Sequence, residues 1–456
     1  MPRNNSHRLQ IFPFLIALLP LVALVALIFK YKVDVPFLDE WDLVPLVDKY
    51  FQGSLTFHDL WEQHNEHRLF FPRAVLIPLI ALTQWNVTYL LMLNLAVAAA
   101  TLFLFHHQIR KTLVALGDPR PGWWLPVLFL FVFSFQQSDS WLMVIQITHF
   151  LHLFAITSGI FVLAIPTFRW INLGAACLLG LVGTYSIASG ILFWPVCLFI
   201  LNATSCEERK SHRLRLFLWT LLGLAVILSY LYHYHKPPHH PSVWTFVSQP
   251  WPYLRYVFTF LGASLINFNL EGAFWAGVTG GVFLTAATTV LVRRTETPLA
   301  ILLPYISLAL FLVGAALMAG VGRAGFGINQ AMVPRYATTT YPFWVLNLFF
   351  LYLLLRNPAR KPGSNLLRGA GWGLFAAILF LNSVSSIRGI ANFRHTHDQL
   401  TAGRNELLTL KDNKRLELLY PRSDFVREQV TILKKYRLSV FRDMEERSGT
   451  RRGTRR

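Results

Sequence analysis

Charged residues are scarce in this chain. Asp, Glu, Lys and Arg make up 14% of its 456 residues, where a soluble domain carries about 25%. With 54% hydrophobic residues, the chain cannot hide its apolar surface in one aqueous core, so lipid must solvate much of it. Cysteine is nearly missing as well. Cys177, Cys197 and Cys206 are the three present, with no CxxC pair, which argues against a disulfide framework and against a structural zinc site. Acidic residues are the scarcer sign: 23 Asp and Glu face 42 Lys and Arg, for a net charge of +19. That excess does not point to nucleic acid. The cations gather in short stretches between apolar runs and in the C-terminal tail, which is the topology signal of membrane proteins.

What the chain has in their place is a series of apolar runs close to the ~20 residues that cross a hydrocarbon core of ~30 Å. They fall at 11–30, 87–107, 122–136, 148–167, 171–185, 187–203, 214–232, 273–292, 298–320, 338–356 and 369–387. The expected fold class is therefore all-α, a polytopic membrane protein of about eleven transmembrane helices. The first run follows Arg3 and Arg8 and continues into Lys30-Tyr31-Lys32 without a small-residue cleavage pattern, so it reads as an uncleaved span rather than a signal peptide. The run at 254–267 is too short to cross and suits a re-entrant or interfacial helix. Arg110-Lys111, Arg169, Arg209-Lys210, Arg293-Arg294 and Arg356 with Arg360-Lys361 fall on alternate sides of the spans, on the side of the N-terminus. The positive-inside rule then makes that side cytoplasmic, and an odd span count puts the tail outside. Residues 1–387 form the expected membrane domain, and 388–456 a polar helical appendage in the periplasm.

Three outer segments are too long or too polar to be plain connectors: 31–86, 233–252 and 321–337. The first carries Asp39-Glu40-Trp41-Asp42 just after the first span. Trp41, Leu43, Val44, Leu46 and Val47 give it an apolar face, which predicts a helix lying on the membrane surface. Thr56 and Asp59 form a capping box for a second helix, which is expected to run into Gln63-His64-Asn65-Glu66-His67-Arg68. On that helix His64 and His67 share a face. Residues 72–83 suit an interfacial helix.

A first span, a long outer loop opening on an acidic pair, two surface helices in that loop and many later spans resemble the type C glycosyltransferases. Further phrases are similar to those of bacterial membrane proteins of this kind: Gln63–Arg68, Ser186-Ile187-Ala188-Ser189-Gly190 with Trp194-Pro195, Lys236-Pro237-Pro238-His239-His240-Pro241 and Pro334-Arg335-Tyr336. The resemblance implies an inner-membrane enzyme that moves a sugar from a polyprenyl-phosphate donor to a glycan or lipid acceptor on the outer face. Asp39-Glu40 stands where the family carries its acidic pair, as Asp-Glu rather than Asp-Asp.

The chemistry of such a transfer needs these residue types. The donor leaves as a phosphate anion, which requires little protonation. One carboxylate must take the proton of the acceptor hydroxyl, and cations must hold the charge growing on the phosphate. Either Asp39 or Glu40 can be the base; adjacent on a helix, they point ~100° apart. A plainer reading makes Asp39, Glu40 and Asp42 a helix cap with favourable dipole charges. His64, His67 and Arg68 could bind phosphate or sugar, or ligate a divalent metal with Glu66 or a residue of 236–240; ordinary headgroup contact is the alternative. Lys236, His239, His240, Arg323, Arg335 and Tyr336 are the remaining candidates for phosphate and sugar. Arg335 at the mouth of a span can fork onto a phosphate or simply snorkel to lipid. Ser186, Ser189 and Gly190 fit close helix packing, or the lining of a lipid groove. The rival functions are a transporter or flippase of a lipid-linked glycan, which predicts charges buried at mid-membrane, and a non-catalytic envelope-assembly subunit.

Overall fold

The computed structural model describes residues 5–118, 121–165, 169–203, 209–238, 240–242, 244–294, 297–356 and 364–442. They are almost wholly helical. In chain order the helices are α1 (Asn5–Tyr31), α2 (Val44–Phe51), α3 (Phe57–Trp61), α4 (Phe70–Thr83), α5 (Val87–Ala115), α6 (Trp124–Val132), α7 (Ser138–Leu142), α8 (Ile147–Leu163), α9 (Trp170–Thr184), α10 (Phe193–Ala203) and α11 (Arg209–Leu231). After them come α12 (Thr245–Ser248), α13 (Pro250–Ala263), α14 (Leu270–Arg293), α15 (Leu299–Arg323), α16 (Ala337–Arg356), α17 (Ser364–Thr409), α18 (Asn413–Leu416) and α19 (Ser423–Lys435). Among the described residues the strands are one antiparallel pair, β1 (Gln63–His64) and β2 (His67–Arg68).

Seven of the helical stretches are long and apolar enough to cross a membrane: those of α5, α8, α11, α14, α15, α16 and α17. α11 shows why they need lipid. Trp219, Gly223, Val226 and Tyr230 form its buried stripe, while Phe217, Leu221, Leu224 and Leu228 on the other face are exposed. A helix apolar on both faces is stable only where its outer face meets hydrocarbon. Four shorter apolar helical stretches accompany the seven, including α4 and α9. The run at 122–136 differs from expectation. Its helix α6 has nine residues, ~14 Å at 1.5 Å per residue, and short turns follow it.

Those turns hold a polar girdle. Gln137 Nε2 donates to the carbonyls of Phe131 and Val132, and its Oε1 accepts from Thr338. The Thr338 hydroxyl also meets Ser140 at 2.7 Å. The end of α6 is thereby fastened to the start of α16. α13 lies tightly against α14. A Cβ on Gly262 would fall 1.8 Å from the Ala273 carbonyl oxygen, and one on Gly277 equally close to that of Phe258, so only glycine permits this approach.

The bundle has two distinct ends. At one, Tyr305 near the start of α15 bonds Thr112 and Gln108 of α5, and Tyr352 of α16 donates to Asp118. Arg110-Lys111 and Arg356 belong to this end. At the other, the starts of α8 and α16 meet the end of α15 and the first loop.

The first loop is packed within the protein. Trp41, Leu43, Val44, Leu46 and Val47 are buried, with α2 against α4 and α19, so the expected membrane-surface helix presents its apolar face to protein. The tail explains this. α17 runs unbroken for 46 residues, ~70 Å by helical rise, far beyond the bilayer core. The chain then folds back through α18 and α19, whose Val426, Val430 and Leu433 are buried at helical spacing. Leu38 N–H donates to Leu419, Ser439 N–H donates to Gln84, Tyr436 bonds Asp48, and Arg442 pairs with Asp34. The tail is thus stitched onto the first loop.

Candidate functional site

Beneath the first loop lies a cavity of about 280 Å³. Part of its wall comes from Asp39 and the hairpin, part from Arg323, Arg335 and Tyr336, and the rest from residues that include some of α8, α13 and α15. How each charged side chain reaches it follows from the backbone around it.

Asp39 and Glu40 sit in a 3₁₀ turn, Leu38–Leu43, and the chain is fixed on both sides of Asp39. Leu38 adopts φ +48°, a left-handed conformation that costs a side-chain-bearing residue ~1–2 kcal/mol. It is held there by the 2.7 Å bond from its N–H to Leu419. Glu40 points away from the cavity and is 1% exposed. Its Oε1 accepts the N–H groups of Val144, at 2.5 Å, and Ile145, and its Oε2 accepts that of Phe37. It therefore caps the turn leading into α8. Burial pushes its carboxyl up to about 8 against the pull of those three donors. Of the acidic pair, the structure brings Asp39 to the cavity and makes Glu40 its anchor.

Asp39 faces the cavity with its side chain half exposed. Burial works to raise its pKa, but the nearby imidazole of His64, with Arg335 and His67 farther off, holds it below the usual carboxylate value. His64 lies between two carboxylates, its Nε2 3.8 Å from Asp39 and its Nδ1 3.9 Å from Asp42. Asp42 in turn accepts a hydrogen bond from the tail's Tyr420 at 3.1 Å, and burial raises its pKa.

The hairpin corrects the expected second helix. Thr56 and Asp59 do form the reciprocal cap, but α3 ends at Trp61. Glu62 is extended, Asn65 turns with φ +50°, and His64 pairs across the strands with His67. The two histidines diverge in use. His67 Nδ1 accepts the N–H of Ala188 at 3.3 Å, and its Nε2 lies 3.6 Å from Glu66. Burial lowers its pKa despite Glu66. Glu66 also binds the Arg323 guanidinium and lies 3.5 Å from His240 Nε2. Burial opposes its charge, yet His67 and Arg323 hold its carboxyl at about 2. Because His67 is itself biased towards neutrality, Arg323 is the standing counter-charge. Arg68 is not in the cavity. Its guanidinium is spent on the carbonyls of Tyr230, Tyr232 and Trp61, tying the hairpin to the end of α11.

Arg335 opens a 3₁₀ turn before α16, with its guanidinium 5.4 Å from the centre of the Tyr336 ring. It forms no ion pair with a described carboxylate. Asp139 is nearby: burial raises its pKa while the Arg335 charge and backbone pull it down. Arg335 is thus a cavity-facing cation left available for an anion.

Asp39, His64, His67, Arg323, Arg335 and Tyr336 therefore line one cavity. His240 is not among its lining residues but lies 3.5 Å from Glu66, which is, Lys236 lines a neighbouring cleft, and His239 lies outside the described residues. The metal set also differs from expectation. Glu66 is taken by Arg323, and among the described residues the three groups that could jointly hold a divalent cation are Asp39, Asp42 and His64, whose ligand atoms lie within 4.8 Å of one another.

Sequence reasoning passed over Gln146, His149 and Thr339, which also line the cavity; His149 Nδ1 is 3.3 Å from the Thr339 hydroxyl. The signal was present in Gln136-Gln137-Ser138-Asp139-Ser140 and Gln146, a polar interruption between two apolar runs. The serine motif divides its duties. Gly190 allows the close approach to Gly183, where a Cβ would fall 2.4 Å from a carbonyl oxygen. Ser189 lines the cavity and hydrogen-bonds His152 at 3.2 Å.

The chain matches no family model, no curated protein and no solved structure.

Proposed function

We propose that this protein is an integral-membrane glycosyltransferase of the type C kind, taking a sugar from a polyprenyl-phosphate donor to a glycan or lipid acceptor. The observation that carries the reading is a single cavity lined both by a carboxylate, Asp39, whose pKa is held low, and by a guanidinium, Arg335, that has no carboxylate partner among the described residues. Phe260, Ala315, Met318 and Ala319 supply an apolar side suited to the first isoprene units. Arg335 holds the phosphate as a charge-assisted fork, with Arg323 beside it. The acceptor hydroxyl gives its proton to Asp39 while its oxygen bonds to the sugar's anomeric carbon, and the phosphate leaves with the electrons of the broken C–O bond. A phosphate is a good leaving group, so an Asp whose pKa is low, and which is therefore ionised throughout the physiological range, suffices as base. His64 positions Asp39, and Glu40 fixes the turn that presents it.

In this reading α1, α9 and α10 join the seven long helices in the membrane, and α6, too short to cross alone, makes the eleventh crossing together with the turns that follow it. The Arg110-Lys111 end of the bundle faces the cytoplasm of a bacterial inner membrane, and the cavity faces the exterior. A divalent cation at Asp39, Asp42 and His64 would add a Lewis acid for the phosphate. The test is turnover of a short-chain polyprenyl-phosphate sugar by purified protein. Asp39→Asn should abolish transfer while retaining donor binding. Full activity in that variant would end the proposal, and donor movement across vesicles without chemistry would favour a flippase.

A further inference from the structure

The larger opening on this face is a second one. A cleft of about 740 Å³ lies outside the hairpin, between Trp61–Asn65 and the segment 232–238. Its walls are built rather than incidental. The Gln63 amide donates to His235 O at 2.5 Å and accepts from His235 N at 3.0 Å, while Arg68 ties Trp61 to Tyr230 and Tyr232 across the gap. Such two-sided pinning keeps the cleft open in one shape before any ligand arrives.

Asn65 borders both this cleft and the inner cavity. Its amide nitrogen is 3.3 Å from His64 Nε2, the imidazole that abuts Asp39. Asn65 thus has the cleft on one side of it and, through His64, the Asp39 carboxylate on the other.

The chemistry of the cleft selects against the anionic donor. Its guanidinium, Arg68, is consumed by three carbonyls, its remaining cation is the exposed Lys236, and Glu62 would repel phosphate. What remains is the exposed ring of Tyr232 and the border of Trp61, whose ring is stacked on Phe57 and packed against Tyr185, beside imidazole, carboxylate and amide groups. An open aromatic ring for a C–H surface with hydrogen-bonding groups around it suits a neutral polyol. We infer that this outer cleft binds the acceptor as a neutral saccharide, delivering its hydroxyl past Asn65 to Asp39. The inference rests on the transferase reading.

Hydrogen–deuterium exchange on the full-length protein in lipid nanodiscs tests it, with two kinds of probe. One is a panel of mono- to trisaccharides of glucose, galactose, mannose and N-acetylglucosamine. The other is farnesyl phosphate. At least one saccharide should slow exchange in 58–65 and 232–238, and His58→Ala with Glu62→Gln, both at exposed positions, should remove that protection. Farnesyl phosphate should slow exchange in 321–336 and leave the cleft unchanged. If farnesyl phosphate protects the cleft, or if no saccharide does, the acceptor assignment is overturned, whatever happens at 321–336. If saccharides protect the cleft and farnesyl phosphate protects nothing, the cleft stands and the polyprenyl-phosphate reading falls.

Discussion

The two walls of the cavity are made in opposite ways. The acidic wall is over-determined: Leu38 is bonded to the tail, Glu40 to the start of α8, Asp42 to Tyr420, and Trp41 between them is wholly buried. The basic wall is a run of short 3₁₀ turns from Ala324 to Tyr336, carrying Gly325 and Gly327, with partly exposed side chains. Among the described residues Arg323 has one carboxylate partner, Glu66, and Arg335 has none. The contrast suits a transfer reaction. A general base must be held within a fraction of an ångström of its proton, whereas the cations must admit and release a lipid phosphate.

If the acidic wall is the catalytic one, the largest effect belongs to Asp39→Asn. Loss of a positioned base costs ~10²–10⁴-fold in rate, so kcat should fall by that much with little change in donor affinity. An equal fall in donor affinity would move Asp39 from chemistry to binding and erase the contrast. Arg335→Ala should do the converse. A charge-assisted hydrogen bond contributes ~1.5–3 kcal/mol, and its loss should weaken farnesyl phosphate binding ~10–100-fold. Arg335→Lys should recover only part of that, because an ammonium cannot fork onto phosphate. If a divalent cation shares the site, chelation should lower turnover in the wild type and leave Asp39→Asn unchanged.

The two walls also differ in how far the sequence announced them. The seven long helices were legible because each carries its own signal, a run of apolar residues of membrane-crossing length. Arg323, Arg335 and Tyr336 were legible because they punctuate such runs. The acidic wall was legible in part. The run Asp39–Asp42 stands out in composition, but its apolar neighbours read as a membrane-surface helix, because nothing in 36–51 shows that α19 will cover it more than 370 residues later in the chain. The hairpin was misread for a local reason: after a capping box the default is to continue the helix, and one left-handed Asn65 decides otherwise. The roles of Asp39 and Glu40 could not be divided from sequence at all, since the donors that capture Glu40 come from Val144 and Ile145.

Glu40 offers a test of the anchoring that depends on pH. Its folded pKa, about 8, lies above the usual glutamate value. Between those two values the unfolded chain is ionised and the folded one holds the proton. The folded state then binds more protons, so stability falls as pH rises through that window, by at most about 1.4 kcal/mol per pH unit for one group. Glu40→Gln, which keeps an acceptor oxygen for the Val144 and Ile145 amides, should flatten this part of the Tm–pH curve. An unchanged slope would mean that Glu40 is ionised in the folded protein, clamped by its three N–H donors.

The smallest expected effect tests whether the tail shapes the site or merely covers it. Tyr420→Phe removes a single hydrogen bond to Asp42, worth ~1 kcal/mol in stability, and leaves the Leu419 carbonyl on Leu38. Burial already biases Asp42 towards its neutral form, and without the phenol that bias should grow. His64 would then lose charge on its Asp42 side and settle towards Asp39. The stability change should be slight, while the pH profile of kcat should shift, because the carboxylate that shares His64 with the base has changed its charge. Equal small losses in Tm and kcat with no shift in profile would reduce the tail to a cover. A shifted profile would mean that a residue some 380 positions from Asp39 in sequence tunes the acidic wall, and that the rigidity of that wall is assembled by the whole chain.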